Sequence, residues 1–352
     1  MGRGAFSRVR ASAPWIGADR LDWQPALVWR EPWRWWTAAW VHWSGLHLAA
    51  NLLGCVVVAA FGRHYEVDTA RGRLQCYPRG KKSSYACGDE VELVPGGDGQ
   101  GVIETLHPRR NLLWRSDAFR EKLIASNLSH LVIVVATEPG FSDLLVSRCI
   151  AAAESQGIVP LIVLNKADLA ARLEAARHQL EPFRKLGYEV VEVSALQGAD
   201  ALRARLAGLQ AIFVGQSGMG KSTLTNAIVP EAQAATREIS DALDSGKHTT
   251  TFARLYHLPV TADEARGGWL IDSPGLQVFG LAHLAADDLA ETFVELRPHL
   301  GRCRFRDCRH DSEPGCALLG ALEAGAIHPR RWEHFRAIRS EIAEARRLNP
   351  GW

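Results

Sequence analysis

The sequence predicts a multidomain α/β protein, and three observations along the chain lead to this fold class. Short alternating segments, separated by Gly and Pro turns, fill residues 56–106. Apolar runs of strand length alternate with helical stretches over residues 131–271. Three cysteines and one histidine cluster within residues 303–316, ahead of a helical C-terminus. These patterns indicate an antiparallel β-barrel, a doubly wound α/β domain and a helical domain built around a metal site.

Composition limits the class of protein. The chain has 352 residues, enough for about two to four domains. Its formal net charge is +2, so bulk charge identifies no partner. The seven cysteines form an odd set and no cleavable signal is evident, which favours a reducing, cytoplasmic compartment. Eight of the twelve tryptophans lie between Trp15 and Trp43, so residues 1–57 form a leader unlike the rest of the chain.

The leader contains an apolar stretch over residues 30–57 that resembles the second membrane helix of rhomboid proteases. Its His47 and Asn51 are four apart, which would place both on one helix face. That family also needs a serine and a second histidine on later membrane helices, and no other apolar segment approaches a span of about 18 residues. We therefore reject proteolysis and interpret the leader as a fusion remnant or a misplaced start. Membrane contact through residues 30–61 is the less favoured alternative.

Residues 58–113 are assigned to an N-terminal OB-fold β-barrel. Five strands are predicted at Val56–Phe61, Arg63–Val67, Arg73–Tyr77, Glu90–Val94 and Gly101–Leu106. Five strands in about fifty residues fit an OB-fold, whose open face commonly binds nucleic acid. Basic residues in its turns and exit would contact RNA or simply solvate the surface, and sequence alone slightly favours the second: Arg79, Lys81, Lys82, Arg109, Arg110 and Arg115. Cys76 and Cys87 are expected to be packing residues.

Residues 114–281 are assigned to the doubly wound α/β domain. Parallel strands are predicted at Leu131–Val135, Pro160–Leu164, Tyr188–Val193, Ala211–Val214 and Trp269–Ile271. Helical stretches lie between most of them, including Phe141–Gln156 and Ala171–Leu186. Ligands of such domains bind at the carboxyl ends of the strands, so the residues after each strand are candidates for chemistry.

The fourth predicted strand leads into a phosphate-binding loop. The loop comprises Gly215, Gln216, Ser217, Gly218, Met219, Gly220, Lys221 and Ser222, with Thr223 in the helix that follows. Glycines let backbone N–H groups point at a phosphate, and the helix N-terminus adds partial positive charge. Lys221 would reach the β- and γ-phosphates, and Ser222 would hold Mg²⁺. The same glycines match a serine-nucleophile turn, but Lys221 and the helix argue against that alternative.

Residues after the second and third predicted strands are suited to bind a guanine base. The Asp168 carboxylate can accept hydrogen bonds from the guanine N1–H and exocyclic amine, while Asn165 takes the base edge and Lys166 packs over the ring. Adenine presents an acceptor where guanine presents N1–H, so Asp168 would select guanine. Ser194 and Ala195 would support the base through backbone groups. Asn165–Asp168 alone would more readily be a solvated turn; its position at a strand exit favours base recognition.

Two segments after the phosphate loop complete the predicted site. Thr250 offers a hydroxyl to Mg²⁺ and the γ-phosphate, Asp272 would hold Mg²⁺ through water, and the Gly275 N–H would meet the γ-phosphate. The base-reading motif precedes the phosphate loop, the reverse of the usual order, so we predict a circularly permuted P-loop GTPase domain. The switch after Asp272 runs directly into the C-terminal domain, which would pass the nucleotide state to it.

Residues 282–352 are assigned to a C-terminal helical zinc-binding domain. Cys303, Cys308, His310 and Cys316 supply four tetrahedral ligands with no open position, which indicates one structural Zn²⁺. A pair of disulfides fails on ligand number and compartment. Arginines in this domain would contact RNA phosphates or form a solvated face: Arg302, Arg304, Arg306, Arg309, Arg330, Arg331, Arg336 and Arg339.

Taken jointly, the motifs N-K-A-D, G-Q-S-G-M-G-K-S, H-T-T-T, D-S-P-G and C-x₄-C-x-H-x₅-C resemble those of the ribosome-small-subunit-dependent GTPases, the RsgA or YjeQ family. The likeness runs from about Val58 to about Ala345. It implies a monomeric GTPase that binds GTP or GDP, the 30S ribosomal subunit and 16S rRNA. It also implies action late in small-subunit biogenesis, with hydrolysis stimulated by the subunit.

Catalysis is expected to depend on Lys221, Thr250, Asp272 and Gly275, and Leu276 stands where many GTPases place a water-orienting glutamine. Slow intrinsic turnover is therefore expected. His248 is the candidate to orient water, in keeping with the family's H-T-T-T motif, and Gln277 is the lesser one. Two alternatives stay open: a zinc-stabilised GTP-binding RNA-binding protein without significant hydrolysis, and a membrane-tethered protein.

Overall fold

The computed structural model describes residues 55–61, 64–80, 85–117, 120–230, 232, 253–258, 268–273, 281 and 284–348. Most of the leader lies outside these residues, as do His248, Thr250 and Gly275. Among the helices of the described ranges, none combines the length and apolar character that a membrane span requires. Within residues 30–61, the part that is described forms a buried β-strand.

The first described region is a ring of five strands. These are β1 (Val56–Ala60), β2 (Tyr65–Thr69), β3 (Gly72–Pro78), β4 (Val91–Pro95) and β5 (Gln100–Leu106). They pair in the order β1-β2-β3-β5-β4, and a bridge between Val56 and Glu90 returns the start of β4 to β1. All five predicted strands are thus confirmed, with β1 beginning two residues before the predicted start of the barrel.

Alternation along the barrel strands separates an inner from an outer face. Val67, Cys76, Leu93 and Ile103 point inward and form one apolar cluster with Val57. The neighbours of Val57 on β1, Val56 and Val58, point the other way and belong to the core of the following domain. Successive side chains of a strand face opposite sides, so β1 serves two cores at once. Cys76 and Cys87 are buried, as predicted.

A hairpin connects the barrel to the central domain along the chain. Its strands are β6 (Leu112–Asp117) and β7 (Arg120–Ser126), which form a separate two-stranded sheet, and a bridge from Ala125 to Cys87 joins β7 to the barrel region. This hairpin was not predicted from the sequence.

The central domain contributes six strands to the sheet that also contains the barrel strands, and helices lie between these six strands. The strands are β8 (His130–Ala136), β9 (Val159–Asn165), β10 (Glu189–Glu192), β11 (Gln210–Val214), β12 (Arg254–His257) and β13 (Trp269–Asp272). The helices are α1 (Asp143–Glu154), α2 (Ala170–Lys185), α3 (Asp200–Leu206) and α4 (Lys221–Ile228). The strand order is β10-β9-β8-β11-β13-β12, with all but β12 parallel. This confirms the alternation of strands and helices that the sequence predicts.

The sheet continues from the central domain into the barrel through β12 and β1. Ala59 of β1 pairs with Arg254 of β12 in antiparallel register. Arg254 also contacts Glu66 of β2 at 3.1 Å, and His257 contacts Asp68 of the same strand at 2.9 Å. The barrel junction therefore combines strand pairing with partly exposed polar contacts, among them the Arg254–Glu66 ion pair.

The C-terminal region consists of helices around the cysteine cluster. They are α5 (Ala286–Glu291), a 3₁₀ turn (Arg297–His299), α6 (Ala317–Glu323) and the long α7 (Pro329–Leu348). Helix α7 packs on α1 of the central domain. Arg330 forms a bidentate pair with Asp143 at 2.8 and 2.9 Å, and Arg148 pairs with Glu341 further along.

Arg331 is the centre of this α1–α7 junction. Its side chain is 1 % exposed and pairs with Glu295 at 2.6 Å, which is itself 3 % exposed. It also donates to the Ser147 hydroxyl at 2.6 Å and lies 4.5 Å from the Phe293 ring centroid. A buried guanidinium with its charge and donors occupied fixes the two helices in one arrangement.

Candidate nucleotide and metal sites

The phosphate-binding loop lies between β11 and α4, at the carboxyl end of the central sheet. Gly215, Gly218 and Gly220 adopt positive φ angles of 143°, 79° and 87°. A Cβ on Gly215 would collide with the Val134 carbonyl oxygen, and one on Gly220 would collide with the Asn165 amide nitrogen. Glycine is therefore required at both positions, because the loop passes directly against β8 and against the base-reading segment.

Lys221 begins α4 and contacts the loop that precedes it. Its Nζ donates to the carbonyl oxygens of Gly215 at 2.6 Å and Gln216 at 2.8 Å. Burial lowers the pKa of Lys221, while the negative charge of Asp272 acts to raise it. Burial conversely raises the pKa of Asp272, which ends β13, and Lys221 opposes that change. The two side chains form an electrostatically coupled pair at the site where phosphates and Mg²⁺ are predicted.

The other loop residues divide into exposed and buried positions. Ser217, Ser222 and Thr223 are exposed on the loop and the first turn of α4, whereas the Met219 side chain is buried in the core. Gln216 accepts a hydrogen bond from the Ser142 N–H at 3.1 Å. Ser142 is the N-cap of α1, so the loop is joined to the helix that packs on α7.

Asn165 connects the three predicted parts of the nucleotide site. Its amide nitrogen donates to the Met219 carbonyl oxygen at 2.9 Å, and its amide oxygen accepts from the Ala195 N–H at 3.1 Å. Lys166 donates from Nζ to the Gly218 carbonyl oxygen at 2.9 Å. The segments after β9, β10 and β11 thus meet as predicted from the strand order.

Asp168 and Ser194 differ in their accessibility. Asp168 is exposed in the turn after β9, open to a ligand. Ser194 is buried, and within the described residues its hydroxyl has no hydrogen-bond partner. The Ala195 N–H is bonded to the Asn165 side chain, which places this loop beside the base-reading segment.

Residues after β8 contact the backbone and side chain of Lys166 beside this site, and the sequence did not predict these contacts. The Thr137 hydroxyl donates to the Lys166 carbonyl oxygen at 2.9 Å, and the Glu138 carbonyl oxygen accepts from Lys166 Nζ at 2.6 Å. The carboxyl end of a parallel strand is where ligand sites form. That rule, extended from the other strands to β8, would have identified both residues.

The cysteine and histidine cluster has the geometry of a metal centre. The ligand atoms of Cys303, Cys308, His310 and Cys316 all lie within 4.8 Å of one another. The Cys303 and Cys316 sulfurs are 3.9 Å apart, and His310 Nδ1 lies 3.3–3.5 Å from the three sulfurs. Tetrahedral zinc with Zn–S bonds of about 2.3 Å has S···S edges of about 3.8 Å. The donor set and spacing therefore fit Zn²⁺.

Local backbone features support this cluster. His310 adopts a φ of +61° in the left-handed region, and Cys316 is the N-cap of α6. The Ala317 N–H donates to the Cys303 sulfur at 3.3 Å. Backbone N–H groups that point at a sulfur stabilise thiolate, the form that binds metal.

Comparison with known proteins agrees with these features. Residues 106–282 match the RsgA GTPase family. The small ribosomal subunit biogenesis GTPase RsgA of Bordetella pertussis is 52% identical over 303 residues, which cover 85% of this chain and 99% of that protein. The protein of the same name from Nitrosomonas europaea is 53% identical over 279 residues, covering 78% of this chain and 87% of its own.

Solved structures give the same result for the fold. The crystal structure of YjeQ from Thermotoga maritima has a TM-score of 0.63 and 27% identity, and covers 82% of this chain and 98% of its own. YloQ, a circularly permuted GTPase, has a TM-score of 0.61 and 26% identity, with 82% and 94% covered. The permuted order of the base-reading motif and phosphate loop is therefore confirmed, and the chain belongs to the RsgA GTPase family.

Proposed function

We propose that this GTPase acts in biogenesis of the small ribosomal subunit, where it binds the 30S subunit and hydrolyses GTP in response. The observation that carries the nucleotide part is the position of Asn165. It joins the phosphate loop, the Ala195 backbone and the turn that bears Asp168, so one side chain aligns the phosphate and base subsites. The names of the relatives support the ribosomal part.

Within this proposal the site residues have separate roles. Asp168 selects guanine, Lys166 packs over its ring, and the loop from Gly215 to Ser222 holds the phosphates. Lys221 neutralises developing charge on the β- and γ-phosphates, while Ser222 and Asp272 hold Mg²⁺. His248, Thr250 and Gly275, outside the described residues, are proposed to position water and the γ-phosphate.

The barrel and the C-terminal helices are proposed to hold 16S rRNA. The closed order β1-β2-β3-β5-β4 with parallel β3 and β5 supports an OB-fold. Arginines of the zinc loop are exposed, including Arg302, Arg304 and Arg306. One structural Zn²⁺ on the Cys₃His cluster would keep that loop folded, since such sites contribute folding energy outright. We propose that the protein works as a monomer in the cytoplasm, with domain boundaries near residues 58, 114 and 282.

Phosphate release from GTP and from ATP by the full chain, with and without purified 30S subunits, tests the proposal. Release is expected to be selective for GTP and to rise strongly with the subunit. Lys221→Ala should lower release by about 100-fold or more, because it removes a cation at the developing charge. Lys185→Ala, a control at an exposed lysine of α2, should not change it. GTP binding without stimulation by active subunits would instead indicate a GTP-binding RNA-binding protein without significant hydrolysis.

A further inference from the structure

Thr137 makes two hydrogen bonds to the base-reading segment although it lies outside every predicted motif. It follows β8 directly and is 4 % exposed. Its N–H donates to the Asn165 carbonyl oxygen at 3.3 Å, and its hydroxyl donates to the Lys166 carbonyl oxygen at 2.9 Å. Both bonds go to backbone, so Thr137 acts on the shape of this segment.

Lys166 has an unusual backbone conformation that needs support. Its φ of +58° lies in the left-handed region, which costs a residue other than glycine of order 1 kcal/mol. A lysine side chain cannot form the local hydrogen bonds with which asparagine offsets this cost. The Lys166 carbonyl oxygen instead accepts from the Thr137 hydroxyl and from the Leu169 N–H at 3.0 Å.

The turn that these two bonds hold is the one that carries Asp168. The Leu169 N–H closes the turn, and the Thr137 hydroxyl anchors it to the end of β8. On the other side of Lys166, its side chain donates to the Glu138 and Gly218 carbonyl oxygens. A change in the Lys166 backbone would therefore move the Asp168 carboxylate relative to the phosphate loop.

We propose that Thr137 is a positioning residue that sets guanine affinity and selectivity by holding Lys166 in its left-handed conformation. The inference rests on the proposed function, because it assumes that Asp168 binds guanine. The hydroxyl and N–H of Thr137 are both bonded to backbone carbonyl oxygens, so its role would be exerted through Lys166. Its loss should weaken the contacts to the base and leave those to the phosphates intact.

The test compares Thr137→Val, which keeps the shape and removes the hydroxyl, with Thr137→Ser, which keeps the hydroxyl. Binding of GDP and of IDP, which lacks the exocyclic amine, is measured by calorimetry on the full chain. Thr137→Val is expected to lower the affinity for GDP about tenfold and the affinity for IDP by less, so that the ratio of the two affinities falls toward one. Thr137→Ser should retain the wild-type ratio of affinities. At saturating GTP, kcat should change less than about twofold, because the phosphate contacts are unchanged.

Two outcomes would overturn the proposal: an unchanged ratio of GDP to IDP affinity in Thr137→Val, or a changed ratio that is the same in Thr137→Ser. Hydrogen exchange at the Leu169 amide is a second measurement and needs no nucleotide. Exchange should be faster in Thr137→Val and in the smaller Thr137→Ala, and an unchanged rate also contradicts the inference. If the wild-type chain did not bind GDP at all, the proposed function would fail first, so the two failures are distinguishable.

Discussion

The two junctions of the central domain are built in opposite ways. Toward the barrel, the contact is strand pairing between β1 and β12, with an arginine–glutamate ion pair and a histidine–aspartate contact whose side chains are 21–53 % exposed. Toward the C-terminal helices, the partly exposed pairs of Arg330 and Arg148 accompany a buried centre. There the Arg331 and Glu295 side chains are at most 3 % exposed, and the Arg331 guanidinium lies over the Phe183 and Phe293 rings. Exposed pairs contribute little to stability, whereas a buried charge cannot lose its partner without a large cost. A buried, fully paired arginine therefore joins α1 and α7 rigidly, while the partly exposed polar pairs of the barrel junction are replaceable.

Removal of the Arg331 charge is expected to have the largest effect on stability at either junction. Arg331→Met should lower the free energy of unfolding by about 3–5 kcal/mol, because Glu295 would remain buried without its partner. Urea unfolding followed by circular dichroism measures the loss. Adding Glu295→Gln in the same chain should recover part of it, since no unpaired charge then remains. A loss under about 1 kcal/mol would show that water reaches the Glu295 carboxylate at this junction.

Acidification should weaken the same junction through His334. The Ser147 hydroxyl accepts a hydrogen bond from Arg331 and lies 2.8 Å from His334 Nδ1. Burial lowers the pKa of His334 to about 4; Arg330 and Arg331 act in the same direction, whereas Asp143 and Glu333 oppose them. The unfolded chain, with a pKa near 6.5, then binds the proton more readily than the folded one.

Because the folded pKa is depressed, the His334 contribution is complete above about pH 6.5 and is lost as the pH falls toward 4. The loss should reach about 3 kcal/mol at pH 4. The free energy of unfolding is measured for the wild type and for His334→Gln at pH 7, 5.5 and 4. The loss is the difference between the pH dependences of the two chains. Protonation of the metal ligands affects both chains equally and cancels. Parallel pH dependences of the two chains would refute the assignment.

Changes at the barrel junction should have the smallest effect. Glu66→Gln and Arg254→Gln are each expected to lower the free energy of unfolding by less than about 1 kcal/mol, since the pair is partly solvated. The double variant should differ little from either single one. A loss comparable to that of Arg331→Met would erase the distinction between the two junctions.

How far the sequence predicts the molecule depends on whether a feature is local. The strands β8, β9, β11 and β13 and the loop from Gly215 to Ser222 were predicted closely, because apolar runs and glycine spacing are local signals. The pairing of Ala59 with Arg254 was not, since residues so distant in the chain leave no periodic trace. Thr137 was missed for a related reason: its contacts are to backbone atoms of another strand exit, and neither threonine nor its neighbours form a motif. The arginines of α7 were considered for RNA, yet Arg331 is buried in the protein.

The shared sheet also bears on what happens when the chain is shortened. β12 has β13 on one side and β1 on the other, so in the intact protein neither of its edges is free. A truncated chain that starts after the barrel would expose the hydrogen-bonding groups of β12 together with the apolar surface that Val56 and Val58 cover. Uncovered strand edges template association with other chains. The barrel therefore also protects the GTPase domain from aggregation, and domain dissection of this protein should keep β1 in place.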